Sequence, residues 1–317
     1  MTQTRRFVLI PVALLMAAAC AGGGGGSTPS AAGSAGSGTS ASASPADGPS
    51  DSASPSGSAA GDPNDLLARV REAGVLKVST DANYEPQSKQ NADGSWEGFD
   101  VDVANEIGER LGVEVQFETP SFDAVVAGNW SGRWDMSVGS VTITEERKDV
   151  LDFTQAYYYT PAQMAATEAS GITTLDGFAG KKICVGSATT YQFWLEGTLE
   201  LSDAPEPAEP PEGAEPFPLG TDQDCAQAVQ SGRSDFEGFL TSSTTLKAAI
   251  DGGAEFVEVG EPVFYESLGV AFDKSDEAHA EMLAEVDRIV GEMHDDGTLT
   301  EFSEKWFDGL DLTTASE

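Results

Sequence analysis

Basic residues are scarce in this 317-residue chain: 17 Lys and Arg stand against 53 Asp and Glu, a formal net charge of −36. Such a field repels polyanions, which excludes nucleic acid and anionic lipid head groups as partners; a strongly solvated surface accounts for the excess. Histidine is almost absent. His279 and His294 have no second His, Cys or acid at ligand spacing, so no metal site is expected and both rings are expected at the solvent. Cysteine is limited to three residues, without a C-x-x-C pair. The apolar run at residues 7–19 is shorter than the roughly 20 residues of a membrane span. No Ser-His-Asp or Cys-His pattern is present, so a catalytic set is lacking as well.

What the N-terminus does have is a basic start, Arg5 and Arg6, then the apolar run, then Ala17, Ala18 and Ala19 before Cys20. Residues 1–20 therefore read as a lipoprotein signal peptide, with Cys20 lipidated as the first residue of the mature chain. Ordinary signal cleavage, with Cys20 a bystander, is the other reading. Residues 21–62 are almost wholly Gly, Ser, Ala and Pro. They cannot bury enough apolar surface to offset chain entropy, so a disordered tether is expected, with a root-mean-square span of roughly 35–40 Å. Cys184 and Cys225 then remain as an even pair in an oxidising compartment. A disulfide between them would stabilise by about 4 kcal/mol on the chain-entropy model; two buried free thiols are the alternative.

From residue 63 onward strands and helices alternate. Residues 74–81 read as a strand, and Asp93-Gly94 signals a hairpin. Phe99, Val103 and Ile107 recur every fourth residue, with Ala104 and Leu111 beside them, which predicts a helix stopped by Gly112. A strand over 113–118, a helix in 121–135 that ends in a Gly-containing turn, and a strand over 136–141 follow. The pattern restarts with a strand at 181–187, a helix at 222–232, a strand at 234–240 and a helix at 241–253. Residues 200–217, acidic and Pro-rich, read as a surface excursion. A strand at 263–272 precedes a long helix carrying Met282, Val286, Ile289 and Met293, and a short terminal helix. Two tandem α/β units predict two lobes rather than one long sheet.

One residue is out of place. A helix opening at Thr144 puts Glu145, Glu146 and Arg147 in its first turn; the dipole favours the acids there and disfavours the arginine. Free amides at the helix start, the Ser140 and Thr142 hydroxyls and the planar guanidinium of Arg147 together suit a small anionic group. A surface pair of Arg147 with Glu145 or Asp149 accounts for it equally well.

The segments TDANY (80–84), GFDVDVANEIGERLGV (98–113), SFDAVVAG (121–128), RWDMSVGSVTITEERKDVLDFTQAYY (133–158), SGRSDF (231–236) and DGTLTEFSEKWF (296–307) resemble the family 3 solute-binding proteins, polar amino-acid receptors of ABC importers. The likeness covers essentially the whole body in order, and GFDVDVA and TITEER are its most specific parts. It implies an α/β, two-lobed periplasmic-binding-protein-like fold of type II, with a ligand cleft between lobes joined by two hinge strands. Lobe 1 would comprise 63–158 and 268–317, and lobe 2 residues 159–267. It also implies a monomer without cofactor, exported and lipid-anchored to the outer face of the cytoplasmic membrane. This protein would capture a small polar amino acid or related zwitterion and deliver it to a membrane permease. A ligand-sensing module and an exported lyase of the cyclohexadienyl dehydratase type are the alternatives. For the lyase, Glu237 and Asp81 are the nameable acids.

Carried over by residue, the resemblance puts Asp81 at the ligand's amino group and Tyr84 and Phe122 as walls along its side chain. Ser140, Thr142 and Arg147 match the carboxylate clamp. ATTY (188–191) resembles a Gly-Thr-Thr loop, with Ala188 for Gly, so Thr190 would close on the same carboxylate. The family commonly has an aspartate for the ligand's amino group where this chain has Leu240, followed by Thr241. Losing that bond is worth roughly 1.5–3 kcal/mol. The ligand's cationic end is therefore held differently, or is bulky, alkylated or absent. Gln87, where many members have Phe, makes the first wall more polar. Tyr191 and Trp194 are candidates to stack on a cation, with core packing the alternative for Trp194.

Overall fold

The computed structural model describes residues 65–315, residue 203 excepted; the expected signal peptide, Cys20 and the tether lie outside them. Asp65 accepts from the amides of Leu67 and Ala68 and starts α1 (Leu66–Ala73), which stops at Gly74 in the left-handed region. β1 (Val75–Ser79) enters the interior. β2 (Asn83–Tyr84), β3 (Ser88–Gln90) and β4 (Trp96–Glu97) form a small antiparallel flap, with the Asp93-Gly94 turn between the last two as its sequence predicts. α2 (Phe99–Leu111) buries the predicted stripe and ends at Gly112, φ 77°. β5 (Glu114–Glu118) runs parallel to β1.

α3 (Phe122–Val126) is the helix expected within 121–135, and it ends, as expected, in a Gly-containing turn. Gly128 and Asn129 turn left-handed, and the Asp273 carboxylate accepts from the amides of Asn129 and Trp130. That side chain replaces the helical hydrogen bonds, and Trp130 and Trp134 are buried against Val125 and Leu151. β6 (Met136–Thr142) leads to the single turn α4 (Glu145–Lys148), capped by the Thr144 hydroxyl.

β7 (Leu151–Thr167) is one 17-residue strand. After it come β8 (Lys182–Gly186), α5 (Thr190–Glu196), β9 (Glu215–Leu219), α6 (Asp222–Gln230), β10 (Gly238–Ser242), α7 (Ser243–Asp251) and β11 (Phe256–Glu258). β12 (Phe264–Asp273), α8 (Ala280–Asp295) and α9 (Thr298–Trp306) complete the chain. β9 begins inside the supposed excursion and runs past its end at residue 217. Pro216 and Pro218 fall on alternate residues, so the missing N–H groups point to one side, which an edge strand tolerates.

The main sheet runs β5-β1-β6-β12-β7-β10-β8-β9, with β11 beside β7. Its backbone pairing is continuous, unlike the expected break, but its apolar interior is not. The first core gathers Leu76, Phe99, Ile107, Tyr158, Leu268 and Ile289. The others gather Ala162, Ile183, Leu240 and Phe264, and Cys184, Cys225, Phe239 and Phe256. The change of core falls between Tyr158 and Ala162 on β7 and between Phe264 and Leu268 on β12. These two long antiparallel strands join two lobes.

Cys184 on β8 and Cys225 on α6 form the disulfide, S–S 2.06 Å. The histidines are not solvent-exposed as expected: both rings are partly buried. His279 Nε2 lies 2.8 Å from Asp152, and His294 Nε2 lies 2.8 Å from the Ala156 carbonyl, so both seat α8 on β7. Among the described residues, no helix is long and apolar enough to cross a membrane.

Candidate ligand cavity between the lobes

β1 and β6 are parallel, as are β8 and β9, and the loops leaving their carboxyl ends converge. In open α/β sheets this is where ligands sit. The loops enclose a cavity lined from the first lobe by Asp81, Tyr84, Phe122, Ser140, Thr142 and Arg147. Thr190, Tyr191 and Asp222 line it from the second lobe, and Glu266 from hinge strand β12. All the expected ligand residues except Thr241 reach it. A wider, more open groove beside β7 carries Lys148 and Lys274, but these are exposed and already paired with Glu145 and Asp152. The enclosed cavity is the better site.

Arg147 points inward and is 3 % exposed. Its Nη1 donates to the Thr142 carbonyl (2.9 Å) and its Nη2 to the Ala188 carbonyl (3.1 Å) across the cleft. The guanidinium lies over the Phe122 ring at 5.2 Å, and its buried Nε–H has no partner among the described residues. Burial lowers its pKa to about 10, with Glu266 opposing, so it stays cationic at neutral pH. The surface pairing with Glu145 does not form; Glu145 takes Lys148 and the Ser202 hydroxyl instead.

The clamp hydroxyls are committed elsewhere. Ser140, at φ 53° in the left-handed region, donates its Oγ–H to Asp100 Oδ2 (2.7 Å) and its amide to the Tyr157 hydroxyl. Tyr157 donates in turn to Asp100 Oδ1. Burial pushes Asp100 up to about 7, with these two hydroxyls opposing. The Thr142 (2.7 Å) and Thr190 (2.5 Å) hydroxyls both donate to Glu266 Oε1, and Tyr191 (2.8 Å) to Oε2. A hydroxyl has one proton to give. Ser140, Thr142 and Thr190 thus line the cavity as expected, with their protons directed to Asp100 and Glu266.

Other expectations also shift. Thr241 lies behind the cavity and donates to Asp222 Oδ2 (2.7 Å), while Asp222 Oδ1 accepts from the Gly186 amide. Burial pushes Asp222 up to about 7 and raises Asp81 as well. Gln87 is no wall: its amide is buried against Thr244 (2.8 Å) and Thr245 (3.2 Å) of the second lobe. Trp194 is core, donating to the Ala208 carbonyl and packed near Phe264. Glu237 is away from the cavity, accepting from the Lys182 amide. Among the described residues, no group of His, Cys, Asp and Glu could hold a metal ion.

Sequence reasoning missed Glu266 and Asp222. Asp222 reads as an ordinary acid in a helix's first turn. Glu266 did carry a signal, as the lone charge inside the apolar run VFYESLGVAF, where an unpaired carboxylate has no place.

The family model for bacterial extracellular solute-binding proteins, family 3, matches residues 76–309. The L-cystine-binding protein TcyJ of Escherichia coli (strain K12) is 32% identical over 252 residues, covering 78% of this chain and 88% of that protein. The lysine/arginine/ornithine-binding periplasmic protein of the same strain is 27% identical, covering 74% and 88%. Among solved structures, the ancestral amino acid-binding protein AncCDT-1, a precursor of cyclohexadienyl dehydratase, superposes with a TM-score of 0.64 at 28% identity. It covers 76% of this chain and 99% of that one.

Proposed function

Because the chain belongs to the bacterial extracellular solute-binding proteins of family 3, we propose that its cavity captures a small polar amino acid or related zwitterion outside the cell. The loaded monomer then delivers this ligand to the permease of an ABC importer. The observation that carries this reading is Arg147: a buried cation at a cleft cavity with an unspent N–H, matched to a carboxylate. Asp81 faces the amino end, and Tyr84 and Phe122 flank the side chain. The lobes divide as 63–158 with 268–317, and 159–267, which agrees with where the cores change along β7 and β12. A signal peptide at 1–20, lipidation at Cys20 and a tether at 21–62 would hold the body at the outer face of the cytoplasmic membrane.

We read the protein as a receptor rather than an enzyme, in line with the binding proteins it is similar to. Of the acids named for the lyase alternative, Glu237 lies outside the cavity, whereas Asp81 lines it together with Asp222 and Glu266. A thermal-shift screen of amino acids and small zwitterions is expected to yield a ligand that is recovered chemically unchanged. Appearance of product would favour the lyase. Arg147→Ala is expected to weaken binding of that ligand by more than ~100-fold, about 3 kcal/mol, with a folded circular-dichroism spectrum. Undiminished affinity would remove Arg147 from the clamp.

A further inference from the structure

Leu240 stands where the family likeness expects an acid for a ligand's amino group; its side chain is buried in the second lobe's core, outside the cavity that Asp222 of the same lobe lines. The cavity is nevertheless rich in negative charge: Asp81, Asp222 and Glu266 line it with Arg147 as the one cation. Glu266 is the unexplained member. It stands on β12 with Phe264, Leu268 and Val270, all buried apolar residues, and is itself 2 % exposed. A buried carboxylate is costly unless something nearby compensates it. No cation lies within ion-pair distance of it among the described residues. Its partners are three hydroxyls drawn from both lobes, Thr142, Thr190 and Tyr191.

Those hydroxyls decide what the site can hold. With each proton spent on Glu266, they can offer a guest only lone pairs. A carboxylate placed there would meet acceptors and a like charge. An ammonium would meet acceptors from both lobes and the Glu266 carboxyl group, while Arg147 keeps an Nε–H without a partner among the described residues for the guest's anionic end. The geometry points to Glu266 as the residue that receives the guest's α-ammonium group. It replaces the aspartate missing at position 240 and selects guests with N–H donors over N-alkylated or deaminated ones. This assignment rests on the amino-acid reading above. It removes the alternative that the cationic end is alkylated or absent.

Glu266→Gln keeps the size and an acceptor oxygen for Thr142 and Thr190 while deleting the charge. Isothermal titration at pH 7.5 compares L-arginine with 5-guanidinopentanoate and L-cystine with 3,3′-dithiodipropionate, matched skeletons with and without the ammonium. For whichever amino acid binds, the wild type is expected to prefer it over its deaminated partner by about 100-fold; in Glu266→Gln that preference falls by roughly 10- to 100-fold, the worth of a charge-assisted hydrogen bond. A purely structural glutamate would weaken both partners alike and leave the ratio unmoved, which overturns the assignment and leaves the amino-acid reading standing. The wild type alone also overturns it, whatever the variant's folding, if the deaminated partner binds as tightly. If no amino acid in the wider screen stabilises the wild type, the amino-acid reading fails and takes this assignment with it.

Discussion

The two lobes hold together by different means. In the first, β1, β6 and β12 pack with α2, α8 and α9 around one large apolar cluster, with a small one of Trp130, Trp134, Val141 and Leu151 beside it and no covalent link. In the second, alternate residues of one strand serve two smaller clusters on opposite faces: Ile183 and Val185 enter one, Cys184 the other. Smaller cores bury less, and it is here that a disulfide ties β8 to α6. The lobes also differ in what they bring to the cavity. The first supplies the cation, Asp81, two hydroxyls and the walls Tyr84 and Phe122; the crosslinked one supplies Thr190, Tyr191 and Asp222. The one cation at the cavity is therefore carried by the lobe without a crosslink.

The largest test of that contrast is removal of the crosslink. Cys184→Ala/Cys225→Ala opens a span of 41 residues, which should cost about 4 kcal/mol in urea unfolding. Hydrogen exchange should show β8 and α6 losing protection while α2 and α8 keep theirs. Uniform loss would mean that the lobes unfold as one unit, and the comparison would break. A middling effect is expected from Gln87→Met, which removes the buried amide spanning from the first lobe to Thr244 and Thr245. It should cost the closed state about 1–3 kcal/mol, seen as a larger radius of gyration in X-ray scattering of the ligand-free protein. An unchanged radius would mean closure is held elsewhere, for instance where Ser202 meets Glu145.

The smallest effect is a slope. Asp100 in the first lobe and Asp222 in the second both sit near 7 instead of 3.8, raised by burial. Between those values the folded protein keeps protons that the unfolded chain has released, so these groups stabilise most at the acidic end. Their contribution is lost as pH rises through about 7. Asp222→Asn should flatten the decline of melting temperature from pH 4.5 to 7.5, and so should Asp100→Asn. A decline as steep in both variants as in the wild type would place the titration in other groups.

Much of the fold was legible because local patterns carry it. The Phe99–Val103–Ile107 stripe, the Gly112 stop and the Thr144 cap each need only neighbours within a few residues. The helix within 121–135 and its glycine turn were legible as well, but not what holds that turn: Asp273, distant in sequence, takes the amides of Asn129 and Trp130. β9 was hidden by prolines that only an edge position excuses. At the site, Arg147 was conspicuous as a cation in the wrong turn of a helix. Gln87 was noticed but misplaced, since its partners sit on the opposite lobe.

By itself the sequence determined the alternation of elements, the tandem α/β units and the presence of an arginine with no business on a helix's first turn; periodicity and end effects act locally. Tertiary structure alone decided where each hydroxyl proton goes. Thr142 and Thr190 meet Glu266 from 124 and 76 residues away. A group with a single proton has a polarity that is settled only when its neighbours arrive.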